Sequence, residues 1–333
     1  MLLIESSLFL LQEAMPDSKL CGVCQTLSLF PRSQPDAGET LGDRYRYTAP
    51  LGTIRDIRNK IWCPFCRLVM SHISDEPTPI ELHPDKEIKL LVAGRIFEAT
   101  CSAHGSQILF VDSKEEEDRE YNSVRIIKER EIDVALVKKW LAACQTHHPD
   151  CSHIIPHSLS INRQARGFKI RALDLSHGCV VDLPAHARYL TLSYVWGDVP
   201  SVRLTKRNFK RLATRDSLNS IRIHLPRTIQ NAIEFVSMLG ERYIWIDTLC
   251  LISDDETDMQ KGIQLMDFIY EGSTLNIIAA TGFDASAGLP GIHYGSRRMT
   301  QHVEEVFPGL NMAVYRALGV HLQASRYATR GWT

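Results

Sequence analysis

Leu225 to Cys250 reads LPRTIQNAIEFVSMLGERYIWIDTLC, and its two halves follow different periods. In the first half Ile229, Ala232, Ile233 and Val236 recur at i, i+3, i+4 and i+7, an apolar stripe along one helix face. Pro226 suits the first turn, where its missing N–H has no intrahelical partner to lose, and Gly240 suits the left-handed stop. The second half runs Tyr243, Ile244, Trp245 and Ile246 together, short enough to be a strand covered on both faces. Asp247 falls at the carboxyl end of that strand. A helix leading at once into a doubly covered strand is half of a parallel α/β unit.

The flanking segments repeat the theme. ARYLTLSYVW (187–196) is rich in β-branched and aromatic residues and ends at Gly197-Asp198, a strand followed by a turn. DDETDMQKGIQLMDFIY (254–270) predicts a second helix, with acids where the helix dipole favours them and an apolar side of Ile263, Met266, Ile269 and Tyr270. STLNIIAATG (273–282) predicts a third buried strand. Together these segments predict an α/β domain over 187–333, a parallel sheet flanked by helices. In such sheets ligands bind beyond the carboxyl ends of the strands, which puts Trp196, Gly197, Asp198, Asp247 and Cys250 near one rim.

The first 155 residues have a different texture. They hold seven of the nine cysteines, the Pro/Gly-bearing stretch from Pro31 to Gly52 and the acidic run KEEEDRE (114–120), which reads as a solvated face. Short strand-like pieces such as IKLLVAGRIF (88–97) alternate with loops, and ALVKKWLAAC (135–144) sets Leu136, Trp140 and Leu141 on one helix face. The expectation is a smaller, irregular, cysteine-rich α+β module over 1–155, then a connector over 156–186.

Charge and cysteine usage bound the function. Thirty-eight Lys and Arg nearly cancel thirty-nine Asp and Glu, so no global electrostatic case exists for nucleic acid. No apolar run reaches the ~18 residues of a membrane span. The start, MLLIESSLFLLQEAM, lacks a basic n-region and holds Glu5, which suits an amphipathic helix better than a signal peptide. Nine cysteines, with four in two Cys-x-x-Cys pairs, suit a reducing, cytoplasmic compartment and metal binding.

Those four, Cys21, Cys24, Cys63 and Cys66, have the residue types of a tetrahedral zinc site built from two knuckles; the alternative is small buried hydrophobes. Cys144, His148 and Cys151, with His147, His153 and His157 nearby as possible fourth ligands, read first as the packing and hydrogen bonding of a buried turn and second as a further set of metal ligands. At the rim, Ser193, Tyr194, Trp196 and Gly197 end the first strand. Its aromatics read either as core or as a stacking platform, with Gly197 allowing close backbone approach. Asp247 could meet a ribose hydroxyl, or else cap a turn or pair with an arginine. Asp254 and Asp255 read as helix caps first and as ligand or metal contacts second. Cys250 would need a histidine base to act as a nucleophile, and none is placed near it by sequence.

The blocks YLTLSYVWGD, LPRTIQNAIEFVSMLGERYIWIDTLCLISDD, DMQKGIQLMDFIYEGSTLNIIAATGFDASAGLPG and the closing RGWT resemble, in this order, the fungal heterokaryon incompatibility (HET) domain over Tyr189 to Thr333. The early CGVC and CPFC pairs and WLAACQTHHPDC resemble what often precedes that domain. The resemblance implies a cytoplasmic fungal protein of non-self recognition that triggers programmed cell death. Its implied partners are further copies of itself or other incompatibility and NLR-type signalling proteins. It also implies a distant kinship to the TIR domain, a flavodoxin-like fold, some members of which cleave NAD at the nicotinamide bond. On that analogy Ser193, Tyr194, Trp196, Gly197, Asp247, Asp254 and Asp255 would hold NAD, although fold alone does not give function.

Two departures qualify it. The family's W-I-D-x-x-C-I-x-Q-D-D stands here as WIDTLCLISDD, so Ser253 replaces an amide that could contact a ligand. The closing block usually continues R-x-W-T-x-Q-E, and the glutamate that would support glycosidic cleavage lies beyond Thr333. The expectation is therefore a C-terminally incomplete domain that works by self-association, with NAD glycohydrolase activity reserved for a longer form.

Overall fold

The computed structural model describes residues 19–27, 29, 46–74, 83–100, 106–111, 123–148, 169–297, 299–323 and 325–329. They fall into two units, Met1–Ile127 with Thr300–His321 and Lys128–Met299 with Leu322–Thr333. The boundaries expected from sequence stand at 155 and 187.

The first unit contains α1 (Gly22–Gln25), β1 (Arg46–Thr53), α2 (Ile54–Asn59), α3 (Pro64–Ser74), β2 (Glu87–Ala93), β3 (Ile96–Ala99), β4 (Ser106–Val111) and β5 (Ser123–Val124). Two strands from far along the chain, β11 (Val303–Phe307) and β12 (Leu310–Arg316), complete its sheet. The order is β1-β2-β3-β4-β12-β11, antiparallel throughout, with β5 added parallel to β4. Ile88, Leu90 and Val92 alternate inward along β2, as a sheet covered on one face requires. Helix α3 buries Phe65, Leu68, Val69 and Ile73 in the same core as these strands. Phe97 meets Phe65 and Phe110 edge-on, with ring centroids 5.9 and 5.8 Å apart. This unit is the smaller of the two, and its sheet carries register shifts at Pro50/Gly52 and Glu305/Phe307. What the sequence did not announce is that the sheet reaches seven strands, because a hairpin closed at Pro308-Gly309 inserts β12 beside β4.

His72 lies wholly buried in this unit. Its Nε2 accepts the Ala99 N–H at 3.2 Å, so the remaining proton sits on Nδ1, 3.0 Å from the Ser106 hydroxyl. Burial, with the charge of Arg316, pushes its pKa down to about 4. A folded pKa below the ordinary 6.5 makes protonation favour the unfolded chain. Stability is therefore full above pH 6.5 and lost as pH falls to about 4, at about 1.4 kcal/mol per pH unit. Urea unfolding of the first unit at pH 7 and pH 5 is expected to differ by about 2 kcal/mol from this group. His72→Gln, which can accept and donate without titrating, should remove that difference; an equal slope in the variant would contradict the assignment.

The second unit contains α4 (Val134–His147), β6 (Arg171–Asp174), β7 (Cys179–Asp182), β8 (Tyr189–Ser193), α5 (Lys206–Leu212), α6 (Ser217–Ile221), α7 (Arg227–Leu239), β9 (Tyr243–Trp245), α8 (Asp247–Cys250), α9 (Glu256–Gln264), α10 (Met266–Glu271) and β10 (Leu275–Ile278). Its sheet runs β10-β8-β9-β6-β7. β10, β8 and β9 are parallel, whereas β6 and β7 are antiparallel additions beyond β9. The expected parallel sheet is thus a mixed one. The hairpin that changes it lies in the stretch expected to be a connector, where four-residue strands meet across the turn Leu175–Gly178.

Both faces are covered, as the YIWI run demands. Ile229, Ala232, Phe235 and Val236 of α7 share one core with Leu190, Leu192 and Ile244. Tyr189, Trp245, Leu251 and Ile269 form another, where Trp245 meets Tyr270 edge-on at 5.5 Å. The single helix expected over 254–270 is two, broken at Leu265. Leu265 is buried and Ile263 is exposed, because the break re-aims the second half. Among the described residues no helix is long and apolar enough to cross a membrane.

Candidate functional site

Chain order and sheet order diverge at β8. From β8 the chain makes β9 on one side and then β10 on the other, so the carboxyl end of β8 is a topological switch point. Ser193 is the last residue of β8, and Tyr194, Trp196 and Gly197 follow it. Asp247 opens α8 directly after β9. Of the two aromatics, Tyr194 is core and Trp196 is 39% exposed.

The groups converge on one another. Trp196 donates from Nε1 to Asp247 Oδ2 at 3.0 Å, and Asp247 Oδ1 accepts the Thr248 N–H at 2.7 Å. The Tyr194 hydroxyl lies 3.0 Å from Thr248 Oγ1. Burial, then the charge of Asp247, pushes the Tyr194 phenol well up, so it stays protonated at neutral pH. The Arg203 guanidinium stands over the Trp196 ring, 5.3 Å from its centroid. Ser193 Oγ donates to the Tyr327 hydroxyl at 3.4 Å. Nothing in sequence spacing announces Arg203 or Tyr327 as members of this rim.

Gly197 is required here. Its φ is +62°, and a Cβ would lie 2.3 Å from Asp284 Cβ. Asp284 is itself fixed by the Ser286 hydroxyl at 2.6 Å and amide at 2.8 Å, which hold its carboxyl below the usual range. Gly197→Ala is expected to cost about 2–3 kcal/mol, strain plus clash. Gly240, at φ +81° with open space around its missing side chain, serves as the control: Gly240→Ala should cost only about 1 kcal/mol. Thermal melts of the two variants compare them, and equal losses would show that the Asp284 contact is soft.

A cleft lined by Tyr194, Trp196, Gly197, Arg203, Pro226 and Thr248 opens beside these groups, with space for about one water molecule. Asp254 and Asp255 are engaged at helix starts. Asp254 accepts the Lys206 N–H at 2.7 Å. Asp255 caps α9 through the Thr257 and Asp258 amides and pairs with Lys206 Nζ at 3.1 Å. Cys250 is buried, accepts the Ile246 N–H at 3.3 Å, and has its thiol pushed up to about 12 by burial. It is therefore a protonated core thiol and no nucleophile.

The two Cys-x-x-Cys pairs meet in the first unit. Cys21 immediately precedes α1 and Cys24 lies in its first turn; Cys63 and Cys66 stand in the same places relative to α3. All four are buried, and their sulfurs lie within 4.8 Å of one another. Cys66 Sγ is 3.7 Å from Cys21 Sγ and 3.6 Å from Cys24 Sγ. Disulfide sulfurs would stand about 2.05 Å apart. A tetrahedron of metal–sulfur bonds about 2.3 Å long has edges of about 3.8 Å, so the donor set fits a tetrahedral metal ion. Neighbouring thiols, Cys24 first, and the backbone amides of Cys21 and Cys66 favour the thiolate of Cys63. Its hydrogen bond to Cys24 pushes the Cys24 thiol up in turn. Four such thiols cannot all ionise together without a cation among them.

The other cysteine–histidine stretch is only partly placed. Cys144 Sγ and His148 Nδ1 lie 3.3 Å apart at the end of α4, while Cys151, His153 and His157 lie outside the described residues, as do the closing residues 330–333.

A family model described as Heterokaryon incompatibility protein (HET) matches residues 189–333, which include β8, β9, β10 and every residue of the rim named above. Comparison with curated proteins and with solved structures finds no match to either.

Proposed function

We propose, from the heterokaryon incompatibility domain that residues 189–333 carry, that this chain is a cytoplasmic signalling component of fungal non-self recognition which triggers programmed cell death by self-association. A function related to heterokaryon incompatibility follows from the domain in general terms; the mechanism is our reading. The single observation that carries it is the closure of the rim. Trp196, Asp247, Tyr194 and Thr248 are bonded to one another, and the cleft they leave holds about one water. Small-molecule sites typically enclose ~300–1,000 Å³. An open groove of about 430 Å³, lined by Val199, Val202, Ile223, Leu225 and Pro226, falls in that range but opens beside the bonded rim and takes in none of Tyr194, Trp196, Asp247 or Thr248. A module that signals by assembly needs a rigid rim and no such cavity at it. Three parallel strands with β8 between β9 and β10 support the TIR-like kinship, from which the antiparallel β6–β7 pair departs.

In this reading Cys21, Cys24, Cys63 and Cys66 hold a structural zinc ion. The ion would supply the positive charge that lets four buried thiolates coexist, and with it a cross-link between the α1 and α3 segments.

The second reading is NAD glycohydrolysis by a longer form, with Ser193, Tyr194, Trp196, Gly197, Asp247, Asp254 and Asp255 at the nucleotide. What favours it is a half-exposed tryptophan beside a carboxylate at the switch point. Incubation of the purified chain with NAD, followed by chromatography for nicotinamide, separates the two. No release, with a mass by light scattering that rises with concentration, is the expected result. Steady turnover by a monomer would reverse the preference.

A further inference from the structure

Between Arg203 and Arg227 the second unit carries Arg203, Lys206, Arg207, Lys210, Arg211, Arg215, Arg222 and Arg227, against the single acid Asp216. Eight cations less one acid give this stretch a charge of +7, in a chain whose total is −1. All eight side chains are exposed. Folding neutralises few of them. Lys206 pairs with Asp255 at 3.1 Å, and Arg215 reaches Asp216 only at 3.9 Å. Among the described residues Arg207, Lys210, Arg211 and Arg222 form no ion pair.

The fold explains only part of this charge: Lys210 and Arg211 suit the last turn of α5, and Arg203 stands over Trp196. On α5, Lys206 and Lys210, and Arg207 and Arg211, stand at i and i+4, where like charges destabilise a helix by a few tenths of a kcal/mol per pair. The apolar side of α5 needs only Leu212, with Phe209 half-buried. Beside the arc, Val199, Val202, Ile223, Leu225 and Pro226 line an open groove, and Ile223 is 80% exposed. In sequence the groove is bordered by Arg203, Arg222 and Arg227. An apolar floor with a cationic border fits an acidic polypeptide segment with an apolar side chain near it. A polynucleotide would use the cations and leave the groove idle.

The chain carries such a segment. Glu115, Glu116, Glu117, Asp118 and Glu120, with Arg119 among them, put five acids in six residues, net −4, and are followed by Tyr121; the other dense run, 254–258, is already engaged, with Asp254 and Asp255 bonded to Lys206 and Asp258 to Arg171. We infer that the basic arc and groove of one copy dock the acidic run 115–120 of a second copy. The inference rests on the self-association reading and specifies its contact. The run lies outside the described residues, and patch and run are different stretches of the chain, so each docked copy still offers one of each. Such a heterologous contact closes into rings or grows without limit, as a self-amplifying signal requires.

Light scattering and sedimentation of the full chain at about 50 and about 500 mM salt test it, since screening lengths shorten more than twofold across that range. Assembly at low salt and its loss at high salt are expected. Arg207→Glu with Arg211→Glu, and separately Glu115→Lys with Glu117→Lys, should each weaken assembly about tenfold or more. An equal mixture of the two variants should recover it. Circular dichroism checks that both fold, and none of the four side chains serves the rim. Variants that assemble like the parent would overturn the docking and leave self-association standing. A parent that is monomeric at every concentration would overturn both. Reversals that abolish binding to RNA or anionic vesicles, without touching self-association, would reassign the arc to a polyanion.

Discussion

Stripping metal from the four-cysteine site is expected to release the α1 segment first and to cost the first unit several kcal/mol. In peptides with no other core, structural zinc contributes ~10–16 kcal/mol of apparent folding free energy at neutral pH. Here the rest of the unit has its own core in Phe65, Phe97, Phe110 and the sheet, so only part of that sum appears as global unfolding. Residues 19–29 are different. Their helix is four residues long, and they reach the core through Leu20, Cys21, Cys24, Leu27 and Leu29. Without a cross-link their attachment to the core rests on those short apolar side chains, which places them at the low end of local stability. Chelation should therefore speed amide exchange in 19–29 well before β2 or β4 responds, and Cys66→Ser should do the same without a chelator. Elemental analysis should find one zinc ion per chain. A metal-free chain with unchanged protection over 19–29 would return the four thiols to the role of packed hydrophobes.

What the sequence disclosed depended on how local the signal was. Helix α7 was legible because its period, Pro226 and Gly240 all lie within one short stretch. YIWI was legible as a doubly covered strand because nothing polar interrupts it. The β6–β7 hairpin was not, since four residues per strand are too few to establish a period. The place of β12 was beyond reach for a different reason. Met312 pairs with Phe110 across most of the chain, and no local pattern encodes so distant a partner. The sites divide the same way. Cysteine spacing predicted two knuckles, and only the fold brings their sulfurs within 4.8 Å. Trp196, Gly197, Asp198, Asp247 and Cys250 were expected near one rim from strand order alone. That Trp196 spends its N–H on Asp247, under Arg203, is tertiary geometry.

Breaking the pair between Arg171 and Asp258 is expected to cost about 3–5 kcal/mol. The side chains are 8% and 13% exposed. Arg171, at the start of β6, gives one N–H to Asp258 and another, from Nε, to the Cys250 carbonyl at 2.9 Å. Asp258 also accepts the Ile252 N–H at 2.8 Å, and the Phe209 ring lies 5.8 Å from the guanidinium. One ion pair thus ties the sheet to the loop that leaves the rim after α8. Arg171→Met would strand a buried carboxylate and an unpaired Cys250 carbonyl, which is why removing one partner costs more than the pair contributes. Asp258→Asn keeps an acceptor for Ile252 but strands the guanidinium. In the double variant no buried charge remains, so its loss should be smaller than the sum of the singles by about 1–3 kcal/mol. Urea unfolding of the four proteins closes the cycle. Single losses under 1 kcal/mol, or strict additivity, would mean that water reaches the pair and that the loop is held by Leu251 and its apolar neighbours instead.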